Sequence, residues 1–99
     1  MKVYISGKIT GIEDQAPALF AKAASDVAAM GHEPVNPMTI NHDHDQTWQS
    51  YMKADVKALC DCDAIYMLSN YKDSKGALIE LQIANHLELN VLHQHRRVK

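Results

Sequence analysis

Cysteine is nearly missing from this sequence. Cys60 and Cys62 are the only two, and as C-x-C they are too close and too few for a disulfide framework or a four-ligand zinc site. They read as reduced thiols near the start of a strand. Proline and glycine are sparse as well, at three and four residues, which excludes a collagen-like or low-complexity chain. No apolar run approaches the roughly 18 residues of a membrane-crossing helix, and MKVYISG enters a short strand, not a signal core of about 7–15 apolar residues. The expectation is a cytoplasmic protein without a membrane partner. An excess of one charge is lacking too: ten Lys and Arg against twelve Asp and Glu leave a net charge of −2. Although the tail HQHRRVK is locally basic, that balance suggests no surface for gripping a phosphate backbone, and polymeric nucleic acid is not an expected partner.

What remains is a globular mixture, 46% hydrophobic and 22% charged over 99 residues. That length makes a single domain, residues 1–99, whose core buries roughly two thirds of the surface that the unfolded chain exposes. KVYIS, Lys2 to Ser6, is a β-rich run closed by Gly7 and followed by the loop GKITG, 7–11. Pro17 suits the first turn of a helix to about Met30, with Phe20, Ala23, Ala24 and Val27 inward and Lys22 and Asp26 outward; Gly31 stops it. A brief strand (32–36) and a polar loop (37–46) precede a second helix, N-capped by Thr47 and ending near Leu59. CDAIYML (62–68) reads as a central strand, the loop 69–73 leads to a third helix, and NVLH (90–93) is the fourth strand. This βαβαβαβ order predicts a parallel sheet with helices on both faces, and a ligand site beyond the strand ends, at the loops after residues 6, 36 and 68.

Two acids break the helical pattern. Turning SKGALIELQIANHL (74–87) by about 100° per residue puts Glu80 at the centre of the apolar arc, flanked by Ala84 and Leu87, while Lys75, Gln82, Asn85 and His86 mark the other side. In TWQSYMKADVKAL (47–59), Asp55 is likewise flanked by Trp48, Tyr51 and Leu59 within about 40°. The first helix, an internal control, has no charge on its apolar arc. A buried charge is disfavoured by several kcal/mol unless it is paired, so each acid either caps or pairs locally or lines a cavity. Two carboxylates in partly apolar surroundings suit glycosidic-bond cleavage, one as nucleophile or ion stabiliser and the other as acid or substrate holder.

Other constellations carry less. GKIT imitates the end of a P-loop, but the required glycine five residues before Gly7 is absent, and so is any G-x-G-x-x-G. HDHD at 42–45 offers metal ligands, yet consecutive loop residues splay apart, and a solvated loop is the simpler reading. His93 and His95 alternate at an ending strand, where exposure is the default. Asp63 follows Cys62 at a strand start. Trp48 and Tyr51 either fill the core or, one of them, face a nucleobase.

The stretches YISGKITG (4–11), DVKALCDCDAIYML (55–68) and SKGALIE (74–80), with the Asn36-Pro37 join and W-x-x-Y-M at 48–52, resemble the nucleoside 2-deoxyribosyltransferase-like superfamily. That superfamily includes the deoxynucleoside 5′-monophosphate N-glycosidases. The whole chain is still more similar to short relatives, many from phages and bacteria, grouped as a domain of unknown function. The resemblance implies an α/β, flavodoxin-like three-layer sandwich; the superfamily sheet has five strands in the order 2-1-3-4-5, and this chain has room for four, five at most. It implies that Glu80 is the nucleophile at C1′ of a deoxyribose, that Asp55 has a sugar-binding or acid role, that Tyr4 orients the nucleophile, and that Asp63 is more structural than chemical. Ser6, Gly7, Lys8, Gly11, Ser74 and Gly76 would then bind substrate, a nucleoside or nucleotide, with no metal and no cofactor. Lys8 and Thr10 stand where the glycosidases have a serine and an arginine. Relatives complete their sites across subunits, so a homodimer or higher homo-oligomer is expected, with the second helix at the two-fold contact. The expected function is binding of a nucleoside or nucleotide with cleavage or transfer at its N-glycosidic bond. Its alternatives are a non-catalytic nucleotide-sensing or protein-interaction module, and a hydrolase of another ribosyl compound.

Overall fold

A computed structural model describes residues 1–40 and 46–94. The chain runs β1 (Lys2–Ser6), α1 (Ala16–Ala29), β2 (Glu33–Val35), α2 (Trp48–Cys60), β3 (Ala64–Met67), α3 (Lys75–His86) and β4 (Asn90–His93). Single 3₁₀ turns at Pro37–Thr39 and Tyr71–Asp73 interrupt two of the expected loops. All strands are parallel, in the order β2-β1-β3-β4. Consecutive numbering reverses direction at β1, which has β2 on one side and β3 on the other, and this is the switch point at which such sheets take ligands.

Alternation along the strands assigns each residue to a face. From β1, β3 and the residue after β3, Val3, Ile5, Ala64, Tyr66 and Leu68 meet Phe20, Ala23 and Val27 of α1. Their neighbours Tyr4, Ile65 and Met67 point the other way, toward Leu59 of α2 and Ala77 and Ala84 of α3. The result is the expected flavodoxin-like sandwich, which among the described residues has one helix on one face, two on the other and four strands between them.

The helices start and stop for local reasons. The alanine-rich α1 begins at Ala16, which puts Pro17 in its first turn, as expected. Proline is tolerated there because those N–H groups have no helical partner in any case. Gly31, at φ +86°, ends it in a conformation that costs a side chain energy. Thr47 caps α2 by accepting from the Ser50 N–H at 3.2 Å, and Ser74 caps α3 by accepting from Ala77 N–H at 3.1 Å.

The strand expected over 62–68 is narrower, at Ala64–Met67, because Cys62 and Asp63 turn the chain out of α2. Asp63 is structural, as read. Its carboxylate accepts from the Lys2 N–H at 3.0 Å, its own N–H donates to the Lys2 carbonyl at 2.8 Å, and its carbonyl accepts from the Asn90 N–H at 3.1 Å. One residue thus ties β1 and β4 to the start of β3. Cys60 is exposed; Cys62 is buried, and burial pushes its thiol up to about 11, which keeps it protonated and inert. His93 is exposed, as expected, beside the Tyr71 ring. His95, the tail and HDHD at 42–45 lie outside the described residues. No helix among the described residues is long and apolar enough to cross a membrane.

Candidate active site

The two acids that misfit their helices are buried: Glu80 is 5% exposed and Asp55 9%. Helix α2 buries its aspartate while leaving Trp48 39% exposed, so Trp48 does not fill the core and Tyr51 is only half-buried. The reason is that α2 borders an opening. A cleft of about 1060 Å³ runs over the end of β1 between the loop 7–10, the 3₁₀ turn at Pro37, α2 and the start of α3. Its walls lie where the strand order predicts, after residues 6 and 36 and on the way out of β3.

Glu80 is held through both oxygens. The Tyr4 hydroxyl donates to Oε2 at 2.8 Å, and the Ser6 hydroxyl donates to Oε1 at 2.6 Å. Both donors come from β1 because residues two apart share a face. Tyr4 and Ser6 point away from α1 together, beneath the second turn of α3. Ser6 therefore meets the glutamate, a contact that its expected place among the substrate-binding residues does not include. The signal that finds it is the strand alternation itself, which pairs Ser6 with Tyr4.

Electrostatics follow from burial. Desolvation pushes the Glu80 carboxyl up to about 7; the bonds from Ser6 and Tyr4 oppose the shift, and the nearby Asp55 carboxylate adds to it. The Tyr4 phenol is held well above its ordinary value, first by burial and then by the charges of Glu80 and Asp55. Tyr4 thus remains a donor, and Glu80 changes charge near neutral pH.

Eight of the nine residues singled out in the sequence line this one cleft: Tyr4, Ser6, Gly7, Lys8, Asp55, Ser74, Gly76 and Glu80. Gly11 does not; at φ +91° it turns the loop outside the lining. Two of the glycines have packing reasons. A Cβ on Gly7 would stand 2.5 Å from Leu68 Cδ1 and 2.8 Å from its Cβ, and one on Gly76 would meet Met52 Sδ at 3.2 Å. Residues that the sequence reading left out also shape the wall. Asn70 anchors the first loop by accepting from the Lys8 N–H at 3.0 Å, and the Lys75 ammonium lies 4.8 Å over the Trp48 ring. Trp48 and Met52, which also line the cleft, share with Val56 and Ile79 a shallow groove on the outer α2–α3 face, where the expected subunit contact would fall.

The family described as "Domain of unknown function (DUF4406)" matches residues 1–93. The chain belongs to that family. Among curated proteins none matches this DUF4406 chain. A solved structure of a 2-deoxyribosyltransferase from the psychrotolerant bacterium Bacillus psychrosaccharolyticus is similar over 100% of this chain and 77% of that one, with TM-score 0.71 and 18% sequence identity. A likeness at that identity is one of fold.

Proposed function

We propose that this DUF4406 protein binds a nucleoside or nucleotide in the Glu80 cleft and cleaves or transfers at its N-glycosidic bond. The observation that carries this reading is Glu80 itself, a carboxylate 5% exposed, held by two hydroxyls and set in the wall of a cleft large enough for such a ligand. A fold needs no such group, since its burial opposes folding. The similar fold of a 2-deoxyribosyltransferase supports the choice of reaction class.

In this reading a Glu80 oxygen forms a bond to C1′ of the sugar as the C1′–N bond breaks, and the electron pair leaves with the base, which takes up a proton. Water or a second base then attacks C1′ and releases a proton, which replaces the one that the departing base took up, and the carboxylate departs with its own electron pair. Hydrolysis and transfer differ only in that second partner. Tyr4 keeps the carboxylate aimed. Asp55, in the wall of the same cleft, holds the sugar or supplies the proton. Because the attacking form is ionised, the rate rises with pH through about 7, where the Glu80 carboxyl titrates.

Incubation with 2′-deoxynucleosides and their 5′-monophosphates, with and without a second base, tests this by chromatography. Free or exchanged base is expected, and Glu80→Gln is expected to lower turnover by about 10³-fold or more while ligand still binds. Unchanged turnover in folded Glu80→Gln rejects the mechanism. Binding without turnover in the native protein leaves the nucleotide-sensing module instead.

A further inference from the structure

We infer that Ser6 is a positioning residue for Glu80: its hydroxyl holds Oε1 in the ionised, attack-ready orientation and does not bind substrate. The inference rests on the proposed glycosyl chemistry only for its activity readout.

Three observations carry it. The Ser6 hydroxyl has one proton, and that proton is committed to Glu80 at 2.6 Å, a distance typical of a charge-assisted bond to a carboxylate. Ser6 is 1% exposed, so the hydroxyl is not presented to the cleft as a free donor. Finally, Ser6 and Tyr4 take different oxygens of one carboxylate. A single donor would leave the terminal torsion of the glutamate broad; two donors from one strand fix the carboxylate plane.

The other charged groups cannot replace Ser6. Tyr4 faces Glu80 from β1 and Asp55 from α2, and the Asp55 charge disfavours ionisation. Lys8, Glu13, Asp73 and Lys75 line the same cleft, but the hydrogen bonds to the carboxylate come from Ser6 and Tyr4, and the charge beside it is that of Asp55. Removing the Ser6 hydroxyl takes away the first of the two donors that oppose burial, so the proton is held more tightly.

The test is Ser6→Ala with two readouts. Infrared difference spectra follow the protonated carboxyl band of Glu80 against pH, assigned by its disappearance in Glu80→Gln. The pH profile of kcat/KM follows the acidic limb. The expected result is that both midpoints rise together by about one pH unit or more, and that Ser6→Thr, which keeps the hydroxyl, returns them toward the native value. An unmoved carboxyl titration in folded Ser6→Ala overturns the assignment, as does a raised KM with an unmoved limb, the mark of a substrate contact. A shifted titration in a protein that cleaves nothing supports the hold of Ser6 on Glu80 and overturns the glycosyl reading alone.

Discussion

On the α1 side of the sheet, Val3, Ile5, Ala64, Tyr66 and Leu68 meet Phe20, Ala23 and Val27, and among the side chains of these residues the Tyr66 hydroxyl is the one polar group. On the α2–α3 side, the same two strands turn Tyr4, Ser6, Ile65 and Met67 toward helices that bury Asp55 and Glu80. Neighbouring residues of one five-residue strand thus enter opposite environments. The first face lowers the free energy of the fold by removing apolar surface from water. The second keeps two carboxylates where burial disfavours their charge. The apolar cluster and the two carboxylates lie on opposite faces of a single sheet, and the cleft reaches over the end of β1 to Ile5 and Phe20.

Substitutions on each face sharpen that contrast. Phe20→Ala, on the apolar side, is expected to cost about 3–5 kcal/mol, a large share of the roughly 5–15 kcal/mol that holds a domain together. Urea denaturation measures it, and a loss below about 1 kcal/mol would show that this face is not the main source of stability.

Glu80→Gln should act in the opposite direction, and its effect should depend on pH. The carboxyl ionises near 4.5 when free and about 7 when folded. Below 4.5 both states hold the proton and the group is neutral to folding. As pH rises toward 7 the unfolded chain releases its proton first, so unfolding is favoured, and above 7 the full burden remains. Wild-type protein is expected to lose about 3 kcal/mol from this group between pH 4.5 and 8. Glu80→Gln should remove that loss and melt higher than wild type at pH 8, with little difference at pH 4.5. Equal melting temperatures at pH 8 would break the comparison, because the glutamate would then carry no stability penalty.

The smallest expected effect is at Ser74, whose hydroxyl oxygen caps α3. Ser74→Ala should lower stability by about 1 kcal/mol and should do so equally at pH 5 and 8. A pH-dependent loss would connect the cap to the Glu80 titration and blur the division between framework and site.

The order of strands and helices is legible in the sequence because each element carries a period and a stop signal, Gly31 after α1 being the clearest. The strand order was legible only through the family resemblance, since composition says nothing about which parallel neighbours pair. Glu80 and Asp55 stand out because a charge on an apolar arc violates a local rule, and such violations concentrate at sites. The partners of Glu80 are 76 and 74 residues away, and helical periodicity has no access to contacts at that range. Trp48 was hidden for the opposite reason. It obeys the apolar arc of α2 yet stays partly exposed, because the cleft replaces the packing that its pattern implies.

The three hydrogen bonds of Asp63 acquire a meaning from this arrangement. Two of them clasp the first residue of β1 to the start of β3, and so set the parity of the strand: even-numbered residues look toward α3, odd-numbered ones toward α1. A slip by one residue would offer Glu80 the side chains of Val3 and Ile5 and leave its charge without a donor, while Tyr4 and Ser6 pressed into the apolar face. The site therefore depends on an odd-even count that begins at Lys2. A one-residue insertion between Lys2 and Tyr4 inverts that count and removes both hydroxyls from Glu80, whereas one in the loop after β1 leaves the count intact.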